Sequence, residues 1–140
     1  MRLIKHNVYS VLFCALFLFC GAAQVNKSPL RKRIAPPDPS RYSAIQDSAD
    51  WRNPYFIVQA NGIDVRPADG APKTATMTPS QVLEYLEKLP ASAWPYGLIV
   101  AVQDNGLGNL GDFVVIKKNR EELVRLLENA GVKVDLWPSA

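Results

Sequence analysis

The residues best suited to chemistry lie in one short stretch that follows an apolar run. The stretch contains Asp104, Asn105, Gly106, Gly108, Gly111 and Asp112. Gly106 to Gly111 matches the pattern G-x-G-x-x-G, in which backbone N–H groups and a helix N-terminus hold the pyrophosphate of a dinucleotide. Asp135 follows on the next predicted strand, close to where that fingerprint places an acidic residue. The spacing therefore makes a dinucleotide site the first hypothesis to weigh.

Three features of the sequence argue against that hypothesis. Gln103-Asp104-Asn105 separates the predicted strand from the glycines, where the fingerprint has no such insertion. Asp104 and Asp112 flank the glycines and would repel a phosphate. Only one further strand follows, whereas a dinucleotide domain needs several. We therefore predict a surface loop and no cofactor; the spacing of its acids is also not that of an EF-hand calcium loop.

Paired carboxylates are the remaining candidates for acid–base chemistry. Asp104 with Asp112 is one such pair, and Glu84 with Glu87 is another. The only histidine and both cysteines precede residue 21: they are His6, Cys14 and Cys20. If the N-terminal segment is removed, the protein has no disulfide, thiolate nucleophile, imidazole base or His/Cys zinc site. We predict no metal site and no catalysis, with an enzyme that uses carboxylates as an alternative.

Residues 1–23 have the three parts of a secretory signal peptide. Arg2 and Lys5 supply positive charge, Val8 to Cys20 is apolar, and small residues precede a cut after Ala23. We expect a secreted or periplasmic protein. The apolar run can be extended to 18 residues, 8–25, so an uncleaved anchor that leaves the domain outside the cytoplasm is the alternative.

Residues 24–50 are rich in proline and polar side chains, which predicts a disordered linker. Residues 51–140 then form the folded domain. That domain carries 9 basic and 10 acidic residues, a balance of −1. Because nucleic-acid binding domains present a basic surface, we expect no nucleic-acid partner. The predicted partner is an unidentified protein or envelope component, with the membrane involved only through an uncleaved N-terminal segment.

The domain opens with a predicted β-hairpin. Tyr55 to Gln59 is rich in β-branched and aromatic residues, and Ile63 to Arg66 returns as its partner. Asn61-Gly62 between them predicts a two-residue turn with positive φ at both positions. A helix then begins after Thr78, because Pro79 and Gln81 complete a capping box.

The last three predicted elements are a strand, a helix and a strand. Leu98 to Val102 is continuously apolar, as in a strand that is covered on both faces. A helix over about Ile116 to Asn129 ends before Gly131, which suits a left-handed C-cap. Val132 to Trp137 closes the domain. The order ββαβαβ predicts an α+β fold with a small mixed sheet.

Tryptophan and tyrosine residues stand at the ends of these elements. We expect Trp51, Trp94 and Trp137 to lie in the core or at its rim. Together with three tyrosines they offer an alternative, an exposed aromatic binding patch. Those tyrosines are Tyr55, Tyr85 and Tyr96.

The order of elements behind one N-terminal apolar segment resembles the periplasmic domain of the ExbD/TolR biopolymer-transport family. Ala60-Asn61-Gly62-Ile63 is similar to that family's hairpin, and Asp104 to the acid that ends its central strand. Leu123 to Leu136, with Ala130-Gly131-Val132 inside it, is similar to its last helix and strand. The resemblance covers residues 55–137 and implies a membrane-anchored accessory subunit of an envelope transport complex. Two features depart from the family: residues 8–25 lack its membrane aspartate, and the glycine-rich loop is not in its pattern.

The sequence as a whole predicts an exported, non-catalytic α+β domain that acts as a binding or structural module outside the cytoplasm. We expect the partner to use the exposed edge of the hairpin or the aromatic rim.

Overall fold

The computed structural model describes residues 28–66 and 76–139. The signal-peptide prediction for residues 1–23 lies outside the described residues. In chain order the helices and strands are α1 (Pro29–Arg33), β1 (Tyr55–Gln59), β2 (Gly62–Val65), α2 (Pro79–Lys88), β3 (Ile99–Asp104), α3 (Leu110–Asn129) and β4 (Lys133–Trp137). Short 3₁₀ turns lie at Pro39–Arg41, Ser48–Asp50 and Ala91–Ala93.

The four strands form one mixed sheet in the order β2-β1-β3-β4. β1 pairs with β2 in antiparallel fashion, and β3 lies parallel to both β1 and β4. In the parallel register Tyr55 lies opposite Ala101, and Val58 opposite Asp104. The α+β class, the mixed sheet and the ββαβαβ order are thereby confirmed, with α1 as an additional helix at the front.

The hairpin is confirmed, but its predicted turn geometry is wrong. Gln59 pairs with Gly62, so the two-residue turn is Ala60-Asn61 and Gly62 already belongs to β2. Gly62 has φ of 140°, while no non-glycine residue in the described ranges has positive φ. A side chain at Gly62 would meet the backbone carbonyl of Met77, which bridges to Ile63 beside it. The glycine therefore serves this close backbone approach.

The start of α2 is confirmed as predicted. The Thr78 side chain accepts a hydrogen bond from the Gln81 backbone N–H, the Gln81 side chain caps the Thr78 N–H in return, and Pro79 stands at the first helical position. Val82 and Leu86 point into the core. Reciprocal capping satisfies two backbone donors that would otherwise lack partners at a helix start.

The predicted start of the last helix, at about Ile116, is wrong. α3 begins at Leu110 and adds more than a turn to the predicted segment. Its inward stripe is as expected, with Ile116, Leu123 and Leu127 buried. At the other end Gly131 has φ of 78°, as a left-handed C-cap requires.

The two faces of the sheet are both covered. On one face α2 and α3 pack against a largely aliphatic core that includes Phe56, Val100 and Val102. On the other face a smaller cluster surrounds Ile99 and Ala101. Its remaining buried members are aromatic: Tyr42, Trp51, Tyr55 and Tyr96. Alternate residues of β3 thus enter opposite cores, which explains its continuous apolar sequence.

The prediction that the linker is disordered is wrong for residues 28–50. Leu30 and Ile34 lie in the aliphatic core, and Tyr42 lies in the aromatic cluster. The Leu98 backbone N–H donates to the Ala35 carbonyl at 2.8 Å, which fixes the segment to the sheet. The prolines restrict the backbone of this segment. Single apolar side chains from it pack into both cores. Residues 24–27 lie outside the described ranges.

Candidate functional site

Asp104 is held by an ion pair. It is the last residue of β3, and its Oδ2 accepts a hydrogen bond from Nη1 of Arg120 on α3. Oδ1 is buried and has no hydrogen-bond partner among the residues that the structure describes. The Asp104 side chain is 16% exposed and that of Arg120 is 32% exposed. The pair fixes α3 to the end of the sheet. Removal of either partner would leave a partly buried charge without its counterion.

Asp112 forms part of the cap of α3. Its Oδ2 accepts a hydrogen bond from the Asn109 backbone N–H, and its own N–H donates to Asn109 Oδ1, both at 3.1 Å. This is a capping box with asparagine and aspartate in place of the usual pair. The carboxylate therefore occupies the helix N-terminus, where a bound phosphate would otherwise sit.

The other predicted site residues form the connection between β3 and α3. The Asn105 backbone N–H donates to the Val58 carbonyl at 2.9 Å, and its Oδ1 accepts from the Leu107 N–H at 3.1 Å. Gly106 and Gly108 lie in this connection, and Gly111 lies inside the first turn of α3. None of these three glycines has positive φ. The segment is built as a capped helix start, with the geometry of an Asx turn followed by an N-cap.

The alternative pair of carboxylates, Glu84 and Glu87, lies on the solvent side of α2, where both residues are exposed. Within residues 28–66 and 76–139, no group of three or more His, Cys, Asp or Glu side chains is arranged to hold a metal ion. The four candidate carboxylates thus divide into two that stabilise α3 and two on an open surface.

An exposed apolar surface surrounds the start of α3, and we call it the α3 patch. Its members, with their exposed fractions, are Leu107 (82%), Leu110 (85%), Phe113 (43%), Val114 (72%) and Val115 (41%). Leu136 on β4 is the only other large apolar side chain exposed to this degree in the described ranges. Clusters of exposed large apolar side chains are found at many protein interaction sites.

The α3 patch occupies most of the circumference of the helix. Successive residues of a helix are rotated by about 100°, so Phe113 and Val115 lie about 200° apart with Val114 between them. The inward side of the same turns is occupied by Ile116. From Lys117 onward the solvent side becomes charged, and Lys117 lies 4.0 Å from Glu121. The first half of α3 is therefore an apolar ridge, and the second half is an ordinary polar surface.

A helix that begins at about Ile116, as the sequence predicts, leaves the α3 patch unrecognised. Phe113 and its neighbours then lie before the helix and do not form one of its faces. Asn109 followed three residues later by Asp112 is a recognisable capping signal. Extending the helical period back from Ile116 to that cap would have placed Leu110 and Val114 opposite the buried stripe.

The two binding surfaces that the sequence suggested are covered in part. The outer edge of β2 is bridged by Met77, whose N–H and carbonyl both bond to Ile63 at 2.8 Å. The predicted aromatic patch is largely buried, with Trp51, Trp94 and Tyr96 each at most 9% exposed. Aromatic rings that pack edge to face in a core do not form an exposed rim.

A shallow groove of about 370 Å³ lies between α3 and β4. Cations and carboxylates alternate along it, including Arg120, Glu121 and Arg125, and the exposed Leu136 stands at one side. Because the groove is open and carries both signs of charge, it is a weaker candidate for a binding surface than the α3 patch.

No protein-family model matches this chain, and neither a curated protein nor a solved structure matches it. Among the residues that the structure describes, none of the helices combines the length and apolar character needed to cross a membrane.

Proposed function

We propose that this protein is a non-catalytic binding module that acts outside the cytoplasm and binds a partner protein through the α3 patch. The observation that carries the proposal is the exposure of five neighbouring large apolar side chains on a capped, rigid helix start. Burying one such side chain contributes about 1.5–3 kcal/mol. Leu110 and Val114 are 85% and 72% exposed, so most of this free energy would be gained only when a partner buries them.

The shape of the α3 patch favours a partner with an apolar groove. The exposed side chains cover about 200° of the helix circumference, so a flat surface would contact only one side of the ridge. A groove would contact Phe113, Val114 and Val115 together. Recognition of a helix in a groove uses this arrangement of anchors. Two such ridges in a symmetric pair would each contact only one side of the other, so a second copy of the chain fits this surface less well than a groove does.

The charges around the α3 patch favour a protein over a lipid surface. Helices that lie on membranes carry Lys and Arg beside their apolar face. The first turn of α3 instead contains Asp112, and the nearest cations, Lys117 and Lys118, follow the patch. We therefore expect the partner groove to be apolar, with acidic side chains where it meets these two lysines.

The position of the α3 patch also suits a tethered domain. Arg31 packs against Gly131, at the C-terminal end of α3, so the described chain begins beside that end of the helix. α3 has 20 residues and spans about 30 Å. If residues 8–25 remain in a membrane, the patch lies at the far end of the domain, turned toward partners beyond the membrane surface.

Export is the second part of the proposal, and it rests on the signal-like pattern of residues 1–23. The intact mass of the protein, measured separately in soluble and membrane fractions, tests it. A soluble species that begins near Gln24 supports a secreted or periplasmic module. A full-length species in the membrane supports the alternative, an anchored accessory subunit of an envelope transport complex, as the ExbD/TolR resemblance implies.

Site-specific photo-crosslinking tests the binding surface. A photoreactive amino acid at Val114 is compared with the same amino acid at Glu122, which is exposed on the charged half of the same helix. We expect a discrete protein adduct from position 114, none from position 122, and loss of the adduct when Leu110 is replaced by Ser. Adducts to lipid, to a second copy of the chain, or at equal yield from both positions would overturn the proposal.

A further inference from the structure

A separate cavity of about 260 Å³ lies at the opposite end of the sheet from the α3 patch. The start of β1 at Tyr55 and the end of β2 at Val65 form part of its wall, whereas α3 begins beyond the opposite ends of β1 and β3. Tyr85 of α2 and Leu89, which directly follows that helix, close another side. Because a cavity of 150 Å³ holds one benzene ring, this one has room for about ten non-hydrogen atoms.

The cavity combines cationic and apolar walls. Arg52 and Arg66 both line it, and no aspartate or glutamate is found among its described lining residues. Val65, Leu89 and the ring of Tyr85 supply apolar surface. Polar and apolar surface are nearly balanced along its walls, so the cavity offers both a charged contact and a place for an apolar group.

Arg66 is held in place by the protein before any ligand arrives. Its Nη1 donates to the Ser48 carbonyl at 2.7 Å, and its Cζ lies 4.9 Å from the centroid of the Tyr55 ring. A guanidinium has five N–H donors in a planar fork, and the bond to Ser48 uses one of them. A fork that is already oriented loses little freedom when it binds a carboxylate with two parallel hydrogen bonds.

We propose that this cavity is a binding site for a small organic carboxylate with an apolar, ring-sized body. The carboxylate pairs with Arg66, and the body packs between Leu89 and the Tyr85 ring. A tyrosine hydroxyl is protonated at physiological pH, and burial raises the pKa of Tyr85 further, so this hydroxyl is available to donate to the ligand. The site is independent of the α3 patch and of the partner proposed for it.

Phenylacetate is a probe of the right size and charge, and phenylacetamide is its neutral counterpart of the same shape. Titration of the isotopically labelled protein by NMR measures both ligands. We expect phenylacetate to bind with a dissociation constant on the order of 1 mM and to shift the backbone amides of Arg66, Tyr85 and Leu89. Phenylacetamide should bind at least about tenfold more weakly, because it lacks the charge-assisted bonds.

Two substitutions test the role of Arg66 with the same probe. Arg66→Gln should weaken phenylacetate binding by about tenfold or more and leave phenylacetamide unchanged. Arg66→Lys keeps the charge but loses the planar fork, so it should bind phenylacetate with an intermediate affinity. If the Gln variant fails to fold, the comparison of the two ligands on the unmodified protein still decides.

Three outcomes would overturn the proposal. One is equal binding of phenylacetate and phenylacetamide, which would mean that charge is not recognised. Another is a set of shifts centred on the α3 patch, for example at Leu110. The third is a flat titration at ten times the expected dissociation constant.

Discussion

The two faces of the sheet are covered by different parts of the chain and by different kinds of side chain. Toward the helices, the core is mainly aliphatic and is closed by α2 and α3, which follow the hairpin in sequence, together with Leu30 and Ile34 of the upstream segment. Toward the other side, the cluster is mainly aromatic, and its cover comes from residues 42–51, which precede the sheet. Trp51 makes edge-to-face contacts with Tyr42, Tyr96 and Trp137, at centroid distances of 5.2 to 6.0 Å.

A short, irregular segment can therefore take the place of a layer of helices on one face of a sheet. The two long helices, α2 and α3, both lie on one face, yet β3 carries Ile99 and Ala101 toward the other. Aromatic rings bury a large area for each residue. A segment without long helices can therefore cover a sheet face if it contributes a few large rings, as Tyr42 and Trp51 do here.

The largest expected effect comes from removing the upstream cover. A chain of residues 51–140 loses Leu30 and Ile34 from the aliphatic core and exposes the face around Ile99. Each large apolar side chain contributes about 1.5–3 kcal/mol, and a whole domain has only about 5–15 kcal/mol. We expect this chain not to fold, as measured by near-ultraviolet circular dichroism and thermal unfolding.

The matched control is a chain of residues 26–140, which keeps Ser28 as the cap of α1. We expect it to unfold cooperatively. If residues 51–140 alone give the same cooperative transition, the upstream segment does not contribute to the stability of the domain. The aromatic face would then not need that segment as its cover.

The next effect tests the helix-covered face. Leu123 on α3 is fully buried against the sheet. Leu123→Ala should lower the free energy of unfolding by about 2–5 kcal/mol, through lost burial and the cavity left behind. Val114→Ala on the exposed side of the same helix should change it by less than about 0.5 kcal/mol. Urea unfolding measures both; a large loss from the Val114 variant would mean that the α3 patch is part of the core.

Periodic and capped elements of the fold could be predicted from the sequence. The hairpin and α2 carried strong local signals, such as the Thr78-x-x-Gln81 capping box, and both are confirmed. The role of residues 28–50 could not be predicted from local signals, because it depends on contacts with distant residues: Leu30 and Tyr42 lie in cores that include residues of β3, which follows much later in the chain. Proline-rich composition indicates stiffness and polarity but not the place where the segment packs.

The α3 patch lies next to the stretch that the sequence singles out. The sequence drew attention to the stretch that contains Asp104 and Asp112, and the structure gives both carboxylates partners within the domain. What distinguishes this stretch is the exposure of Leu110 and Val114, and exposure follows only from knowing where α3 begins. A helix boundary misplaced by about six residues was enough to hide the surface.

A smaller effect tests the junction between the upstream segment and the sheet. Asn53 is buried; its Nδ2 donates to the carbonyls of Gly97 and Ile99 at 2.8 and 2.7 Å, and its Oδ1 accepts from the Tyr96 N–H at 2.9 Å. Asn53→Ala should cost on the order of 1–3 kcal/mol for a buried group left unsatisfied. Asn129→Ala, at the exposed end of α3, is the control.

Asn53→Asp separates the effect of the lost hydrogen bonds on stability from the effect of the lost side-chain volume. The carboxylate keeps the acceptor for the Tyr96 N–H but turns an oxygen toward the Gly97 and Ile99 carbonyls, so it should destabilise at least as much as Ala. Urea unfolding at pH 7 measures the series. An Asp variant as stable as the unmodified protein would mean that the donors of Asn53 contribute nothing.

The smallest expected effect is a loss of stability at alkaline pH, and it compares one phenol on each face of the sheet. Burial raises the pKa of Tyr55, on the aromatic side, and of Tyr85, on the helix side. In the unfolded chain both ionise near 10.0. Their contributions to stability are therefore complete below about pH 10 and are lost as the pH rises through the higher values of the folded state.

Tyr55→Phe and Tyr85→Phe should each flatten the fall of unfolding free energy with pH above 10, by at most about 1.4 kcal/mol per pH unit. At pH 7 the two variants should differ, because Tyr55 donates to Gln103 at 2.8 Å and its loss removes a hydrogen bond. Lys133 adds to the same alkaline loss, since its hydrogen bond to Tyr42 raises its pKa. Urea unfolding between pH 7 and 11.5 checks the slopes; unchanged slopes in both variants would mean that neither phenol resists ionisation in the folded protein.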